Sequence, residues 1–213
     1  MNKYAYVTFM NDNTIELTGA LVMGYTLKKT KTTYDIIMLI GPSIEKNTIK
    51  LLSKFYSVIK YDHVIGLDDI FKLFYKKVIY LDIDIIILKN IDHVFKETTP
   101  STVPGISGFL LLEPNPNISN IKEYLSSTNK LDMSYNYQFD LSYRKTKIYT
   151  IDDIHIINFP DDYEPWNQLI EDHFIDESEA KMIYLYKKYY DLWLNIFHRV
   201  KNKFDGLNLS IGF

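Results

Sequence analysis

Two aspartates stand inside the most apolar stretch of the chain and are its best candidates for chemistry. The stretch runs from Val78 to Leu88 and otherwise consists of β-branched, aromatic and aliphatic residues, as is typical of a strand buried on both faces. Asp82 and Asp84 occupy alternate positions, so in a strand they would project from one face, roughly 6–7 Å apart. Carboxylates held this close disfavour each other's ionisation. The spacing therefore predicts a divalent-cation site that leaves coordination positions open for phosphate oxygens.

A second interpretation of the pair is structural. The strand could end near Asp82, which would leave both aspartates solvated or capping the next turn. The apolar sequence continues past Asp84 to Leu88, and this favours the metal site. Phosphatases, polymerases and glycosyltransferases all use such a pair, so the motif alone does not choose among these classes.

Composition narrows the class of protein. The 213 residues fit one domain with a single core, and residues 1–213 are predicted to form one. The net charge of −3 argues against nucleic-acid and membrane-surface partners. There is no cysteine, and the only arginines are Arg144 and Arg199, so a phosphate would be bound by metal and lysine. No signal peptide and no apolar run long enough to span a bilayer is evident, which predicts a soluble, cytoplasmic protein.

Alternating strand and helix patterns position the aspartates. Strands are predicted at 4–9, 34–40, 57–61 and 78–88, with helices at 15–28, 43–55 and 68–77 between them. This alternation predicts an α/β fold with a mostly parallel sheet and helices on both faces. No G-x-G-x-x-G or Walker A sequence follows a strand, which argues against dinucleotide oxidoreductases and P-loop enzymes.

The second half of the chain is predicted to complete the sheet and cover it. A short helix at 90–95 precedes a strand at 106–112, and helices at 118–127 and 132–145 precede strands at 148–151 and 154–157. A loop at 158–166 leads to a long helix at 177–204, whose aromatic residues recur at helical spacing and are predicted to cover the core.

Taken together, these blocks resemble the glycogenin-like glycosyltransferases of family 8. The resemblance covers most of the chain and rests on blocks in the family's order, at 6–8 with 19–27, 77–84 with 88–92, 107–108 and 165–166. It implies a GT-A-type fold that binds a nucleotide-diphospho-sugar. It also implies transfer of a hexose from a UDP-sugar such as UDP-glucose, with retention at the anomeric carbon and with Mn²⁺ or Mg²⁺ as cofactor.

The resemblance also implies roles for individual residues. Asp82 and Asp84 would hold the metal, and Asn158 falls at the position of the family's metal-binding histidine. Lys72 would reach a phosphate, and Gln138 would lie near the sugar as the catalytic glutamine. The other residues implied to contact the donor are Thr8, Asn11, Asn13, Ile83, Ser107 and Gly108.

Several positions depart from the family's pattern. Ile106 falls where the family has an asparagine, Tyr137 where it has an aspartate and Asn158 where it has a histidine. Glu164 falls where the family has a lysine, and the family's uracil-stacking tyrosine falls near Glu16. The amide oxygen of Asn158 is a weaker ligand for manganese than imidazole. His155 lies on the opposite strand face from Asn158 and is predicted to be a packed histidine rather than a substitute ligand.

Three functions remain open on the sequence. The leading prediction is a small glycosyltransferase with weak activity, acting on an unidentified glycan or protein acceptor. The second is a catalytically degenerate relative that binds a nucleotide sugar or a partner protein. The third is a magnesium-dependent phosphatase of haloacid-dehalogenase type, with Asp82 as nucleophile and Asp152 and Asp153 on the metal. Three strands precede Asp82, which disfavours the phosphatase, and the sequence leaves a homodimer open.

Overall fold

Two β-sheets that meet at the aspartate pair organise the structure. The computed structural model describes residues 3–12, 16–118, 120–138, 149–160, 164–166 and 180–204, with only the backbone of residues 180–185. The described strands are β1 (Tyr4–Met10), β2 (Asp35–Ile40), β3 (Ser57–Lys60), β4 (Lys77–Leu81), β5 (Ile85–Ile87), β6 (Ser101–Thr102), β7 (Phe109–Leu112), β8 (Asn129–Lys130), β9 (Tyr137–Gln138) and β10 (Ile156–Asn158). A seven-stranded sheet has the order β3-β2-β1-β4-β7-β6-β8, and a three-stranded sheet has the order β5-β10-β9.

The larger sheet confirms the predicted α/β architecture. Strands β3, β2, β1 and β4 are parallel neighbours, and β7 pairs antiparallel with β4. The described helices are α1 (Glu16–Lys29), α2 (Lys46–Leu52), α3 (Leu67–Ile70), α4 (Ile121–Ser126) and α5 (Ala180–Asn202), with 3-10 helices at Asp92–Lys96 and Met133–Tyr135. Alternate residues of β1 enter two different cores, because successive side chains of a strand point to opposite faces. Helix residues pack against both faces of the sheet, as predicted.

The prediction of one continuous strand from 78 to 88 is wrong. Strand β4 ends at Leu81 and pairs with β1 and β7, whereas β5 begins at Ile85 and pairs with β10 in the smaller sheet. The aspartates therefore lie on the segment that carries the chain from one sheet to the other. The sequence does not reveal this change of partners, because both strands are buried and equally apolar.

Other boundaries also differ from the predictions. Residues 133–135 form a 3-10 helix and 137–138 form β9, so the predicted helix at 132–145 is wrong in its described part, and residues 139–148 lie outside the described ranges. The helix predicted at 68–77 is limited to Leu67–Ile70, and the one predicted at 43–55 to Lys46–Leu52. The strand predicted at 106–112 begins only at Phe109, because Gly108 has a left-handed φ of 91°. Residues 149–151 are not in a strand.

Helix α5 joins the cores of the two sheets. Trp193 and Phe197 pack in the cluster that contains Trp166 and one face of the small sheet, whereas Val200 packs in the cluster that contains the other face of the small sheet and residues of the large sheet. Along the described ranges, no helix combines the length and the apolarity needed to cross a membrane.

Candidate active site

Backbone hydrogen bonds hold the segment between β4 and β5 on both sides. The amide of Asp82 donates to the carbonyl oxygen of Gly108 over 3.0 Å, and the amide of Phe159 donates to the carbonyl oxygen of Asp84 over 3.1 Å. The Tyr80 hydroxyl donates to Oδ1 of Asp82 in a short hydrogen bond. Asp82 is therefore oriented by its own strand and by the turn before β7.

Gly108 packs closely against the Asp82 carboxylate and Asn158. A Cβ at Gly108 would lie 3.0 Å from Oδ2 of Asp82 and 2.8 Å from Nδ2 of Asn158, so no side chain fits there. The two aspartates offer hard oxygen atoms, which suit a divalent cation that also takes phosphate oxygens. Over the described residues, no group of three or more histidine, aspartate or glutamate side chains is arranged to hold a metal.

A cavity of about 330 Å³ opens on the side of Asp82. The rings of Phe9 and Tyr80 stack across 5.5 Å in its wall. Its described lining contains no lysine, arginine or histidine and consists of Phe9, Leu67, Tyr80, Asp82, Thr102, Ser107, Gly108, Phe109 and Leu110. Such a wall offers an apolar face to a bound group.

The Tyr80 hydroxyl is kept protonated at this site. Burial raises the pKa of Tyr80 well above its usual range, and the charges of Asp82 and Asp84, with the hydrogen bond to Asp82, raise it further. Tyr80 therefore acts as a constant hydrogen-bond donor to Asp82.

A network of amides lies behind Gly108. Nδ2 of Asn158 donates to the Ser107 carbonyl oxygen and to Oδ1 of Asn136, each over 3.2 Å. Oδ1 of Asn158 accepts from Nε2 of Gln138 over 3.4 Å. Nδ2 of Asn136 donates to the same Ser107 carbonyl over 2.6 Å. The structure thus brings together three residues predicted for the site, Ser107, Gln138 and Asn158, and adds Asn136.

This network turns the amide oxygen of Asn158 toward Gln138, whereas the amide nitrogen lies beside Gly108. An amide nitrogen that donates hydrogen bonds is not a metal ligand, so the arrangement does not favour the predicted ligand role of Asn158. Asn136 was missed because the family's pattern directs attention to position 137. The available signal was an amide in the otherwise aromatic run Tyr135-Asn136-Tyr137.

The Pro165-Trp166 block lies against the aspartate segment. A Cβ at Gly19 of α1 would lie 2.3 Å from Cζ3 of Trp166 and 2.8 Å from the carbonyl oxygen of Ile83. The indole nitrogen of Trp166 donates to Oε2 of Glu164 over 3.0 Å. Gly19, Ile83 and Trp166 therefore connect three sequence blocks that are far apart in the chain.

Acidic residues gather at the start of α1. Burial raises the pKa of Glu16, and the negative charges of Asp12 and Glu164 raise it further. Glu164 and Glu16, two positions at which the sequence departs from the glycogenin-like pattern that it resembles, thus face the same region.

The side chain of Asn11 is hydrogen-bonded within the protein, and Thr8 is buried. The side chain of Asn11 donates to the carbonyl oxygen of Ile65 over 2.9 Å and accepts from its amide over 2.7 Å. Thr8 is only 1% exposed, and its hydroxyl has no hydrogen-bond partner in the described part of the chain. Asn13 lies outside the described residues, and contacts of these three residues with a donor stay predictions.

Lys72 lies in a different cluster from the amides. Its Nζ forms an ion pair with Asp69 over 2.9 Å, and Asp69 also accepts from His63 over 3.0 Å. Burial opposes ionisation of Asp69, but hydrogen bonds from the Gly66 amide, Lys72 and His63 lower its pKa to about 2. Lys72 lines a separate cavity beside Asp68, so a contact with phosphate stays a prediction.

His155 is packed rather than presented to Asp82. Its ring stacks on Tyr135 with 4.6 Å between centroids, and its amide donates to the Ser134 carbonyl over 2.8 Å. Burial lowers the pKa of His155, and the charges of Lys89 and His93 lower it further, so the ring stays neutral.

Solved structures with this architecture define the fold as GT-A. The chain aligns with the glycosyltransferase GlyE of Streptococcus pneumoniae TIGR4 with a TM-score of 0.59 at 16% identity, over 95% of this chain. It aligns with the galactosyltransferase LgtC, solved with donor and acceptor sugar analogues, with a TM-score of 0.54 at 10% identity, over 84% of this chain and 99% of LgtC. The chain spans 64% of the GlyE chain. The predicted GT-A fold is therefore confirmed.

A sequence relative defines the family. The chain is 32% identical to the uncharacterized protein R707 of Acanthamoeba polyphaga mimivirus, in an alignment of 281 positions that covers both proteins in full, and it belongs to the same family. It is also 28% identical over 116 residues to inositol phosphorylceramide glucuronosyltransferase 1 of Arabidopsis thaliana, which corresponds to 45% of this chain and 20% of the plant protein. No family model matches the sequence.

Proposed function

We propose that the chain is a divalent-metal-dependent glycosyltransferase that transfers a hexose from a UDP-sugar with retention at the anomeric carbon. Residues 1–213 would act as one GT-A domain. The observation that carries this proposal is the Asp82–Asp84 segment, which joins the two sheets of a GT-A fold beside the cavity that Asp82 and Gly108 line. A cytoplasmic location and a homodimer stay predictions.

Asp82 and Asp84 would hold Mn²⁺ or Mg²⁺, because both offer hard carboxylate oxygens. When bound, the cation neutralises charge on the leaving diphosphate. Tyr80 orients Asp82 by a hydrogen bond, and the Gly108 carbonyl fixes the Asp82 backbone. Gln138, fixed at one end by Asn158, would lie near the sugar.

The apolar cavity beside Asp82 supports an acceptor with a neutral, apolar face. Apart from Asp82, its described wall carries no charged side chain, and the stacked rings of Phe9 and Tyr80 offer a surface for the C–H face of a sugar or for an apolar aglycone. The acceptor would be a glycan, or a protein that presents such a group.

The first prediction tests the donor site by thermal unfolding with UDP and Mn²⁺. The ligands should raise the melting temperature of the unmodified protein by mass action, and Asp82→Asn with Asp84→Asn should abolish the shift. Asp191→Asn, an exposed aspartate on α5, is the matched control and should keep the shift. A shift that survives in the double variant would show that the aspartates do not hold the cation.

The degenerate-binder alternative draws on Asn158 and Glu164. The side-chain amide of Asn158 forms hydrogen bonds in the interior, and Glu164 brings negative charge where the glycogenin-like family has a lysine. UDP release from several UDP-sugars, measured beside calorimetric UDP binding, separates the alternatives. We expect slow but measurable turnover; binding without turnover would favour the binder.

The phosphatase alternative lacks the expected arrangement of strands. Three parallel strands precede β4, the strand that leads to Asp82, and the Asp153 carboxylate accepts hydrogen bonds from the amide and hydroxyl of Thr150, at 2.9 and 2.7 Å. Hydrolysis of an aryl phosphate that disappears with Asp82→Asn would revive this alternative.

A further inference from the structure

Asn136 is the most enclosed member of the amide network. It is 0% exposed and Asn158 is 3% exposed, so each polar atom that lacks a partner there would cost free energy. The hydrogen bonds of the network join the turn before β7 at Ser107, the strand β9 at Gln138 and the strand β10 at Asn158.

The chemistry of the Ser107 carbonyl determines which way both asparagines face. A carbonyl oxygen only accepts hydrogen bonds, so the atoms of Asn136 and Asn158 that lie 2.6 and 3.2 Å from it are amide nitrogens. Oδ1 of Asn136 then accepts the second hydrogen of the Asn158 nitrogen. Both N–H groups of Asn158 are thus used in the interior.

We propose that Asn136 is a positioning residue of the donor site, which fixes Asn158 as a support for the Gly108 turn and Gln138 instead of as a ligand of the cation. This inference rests on the proposed function. Asn136 acts through other residues: Ser107 precedes the glycine whose carbonyl accepts from the Asp82 amide, and Asn158 donates to Ser107 and accepts from Gln138. The cation would then be held by Asp82 and Asp84 without Asn158.

Position 158 and position 136 act as a unit in this arrangement. A histidine at 158 cannot reproduce two N–H donors directed at Ser107 and Asn136, so restoring the family's residue there also requires a change at Asn136. This coupling explains why the asparagine at 158, where the resemblance places a metal-binding histidine, is accompanied by a second asparagine at 136.

The second prediction concerns metal affinity, measured by the electron paramagnetic resonance signal of free Mn²⁺ in the presence of UDP. Asn136→Leu and Asn158→Leu should lower the Mn²⁺ affinity clearly less than Asp82→Asn does, because they remove support for the Gly108 turn and not a ligand; Asp82→Asn should lower it about a hundredfold or more. Asn117→Leu, at an exposed asparagine, is the control for the substitution itself. A loss in Asn158→Leu as large as that in Asp82→Asn would identify Asn158 as a ligand and overturn the inference.

Kinetics with a UDP-sugar provide a readout that a purely structural role would not move. Asn136→Leu should lower kcat about tenfold to a hundredfold with KM changed less than about threefold, because misplaced Gln138 and Gly108 affect the reacting geometry more than binding. The double variant with Asn158→Leu should be no slower than the slower single variant. If the double variant instead lowers kcat by the product of the two single effects, the two asparagines act independently, which contradicts the proposal.

Unfolding of the ligand-free protein separates this inference from the proposed function. If the unmodified protein binds no Mn²⁺ with UDP, the proposed function fails, but the Asn136–Asn158 coupling is still measurable in denaturant. The destabilisations of Asn136→Ala and Asn158→Ala should be strongly non-additive in the double variant. Additive effects overturn the network; Asn136→Ser replaces Asn136→Ala if the latter does not fold.

Discussion

At the scale of residues, the site combines opposite electrostatic requirements. The proposed cation site at Asp82 and Asp84 would attract a diphosphate, yet Glu16 and Glu164 add negative charge near the start of α1, where burial raises the pKa of Glu16 and the charges of Asp12 and Glu164 raise it further. A diphosphate bound near these carboxylates would meet electrostatic repulsion. This is the physical reason for expecting slow turnover.

The third prediction tests this repulsion with Glu164→Gln, which keeps an oxygen for the Trp166 indole. A raised carboxyl pKa in the folded protein means that stability falls as pH rises through that pKa, so removing the neighbouring charge should stabilise the protein at pH 7. The gain should be a few tenths to about 1 kcal/mol and should vanish below about pH 4, where the carboxyls are protonated. Urea unfolding across this pH range measures it.

Glu123→Gln, at an exposed position on α4, is the control and should show no such pH-dependent gain. Glu164→Gln should also raise the affinity for UDP. Unchanged stability at pH 7 would show that the charge of Glu164 does not act on Glu16.

At the scale of elements, α1 sets the position of the aspartate segment. Gly19 allows the helix to contact both the Trp166 ring and the Ile83 carbonyl, which lies between the two aspartates. Inside a helix, alanine is ordinarily preferred over glycine by about 1 kcal/mol. Packing, and not helix propensity, therefore explains the glycine at this position.

The fourth prediction is that Gly19→Ala destabilises the protein despite the higher helix propensity of alanine. The added Cβ would lie far inside van der Waals contact with Trp166 and Ile83, and overpacking of this kind typically costs about 1–3 kcal/mol. Denaturant unfolding measures the change, and UDP binding with Mn²⁺ should weaken as Ile83 moves.

Gly66→Ala is the matched control, because Gly66 has φ of −128° and no atom lies within 4 Å of the added Cβ. It should leave stability within about 0.5 kcal/mol of the parent. If Gly19→Ala were equally neutral, the close packing of α1 on the aspartate segment would be refuted.

At the scale of the whole molecule, α5 holds the two sheets together. Its described side chains pack in both cores, with Trp193 and Phe197 in one and Val200 in the other. Since the aspartate segment is the link between the sheets, the same helix stabilises the geometry of the candidate site from a distance.

The fifth prediction concerns Trp193, which is 0% exposed and stacks on Phe197 with 5.3 Å between ring centroids. Trp193→Ala should lower the free energy of unfolding by about 3–5 kcal/mol, because a large cavity replaces the indole. Asp191→Ala, exposed on the same helix, should change it by less than about 0.5 kcal/mol. A small loss at Trp193 would show that α5 does not contribute to the core as described.

The sequence by itself determined the α/β class, the central strands and the aspartate pair. Nearly uninterrupted apolar runs specify buried strands such as β1 and β2, since such runs require burial whatever the partner. The resemblance also identified Ser107, Gln138 and Asn158 before the structure brought them into one network. Short local elements were less predictable, because few residues specify them and distant partners decide their conformation.

Only the tertiary structure decided how the site is assembled. The change from one sheet to the other between Asp82 and Asp84 depends on pairing with β7 and β10, strands more than 20 residues further on in sequence. The direction of the Asn158 amide depends on the carbonyl of Ser107 and on Asn136, which no local pattern connects to it. Hydrogen bonds between residues distant in sequence form only once the chain is folded, so the roles of these amides follow from the fold and not from residue type.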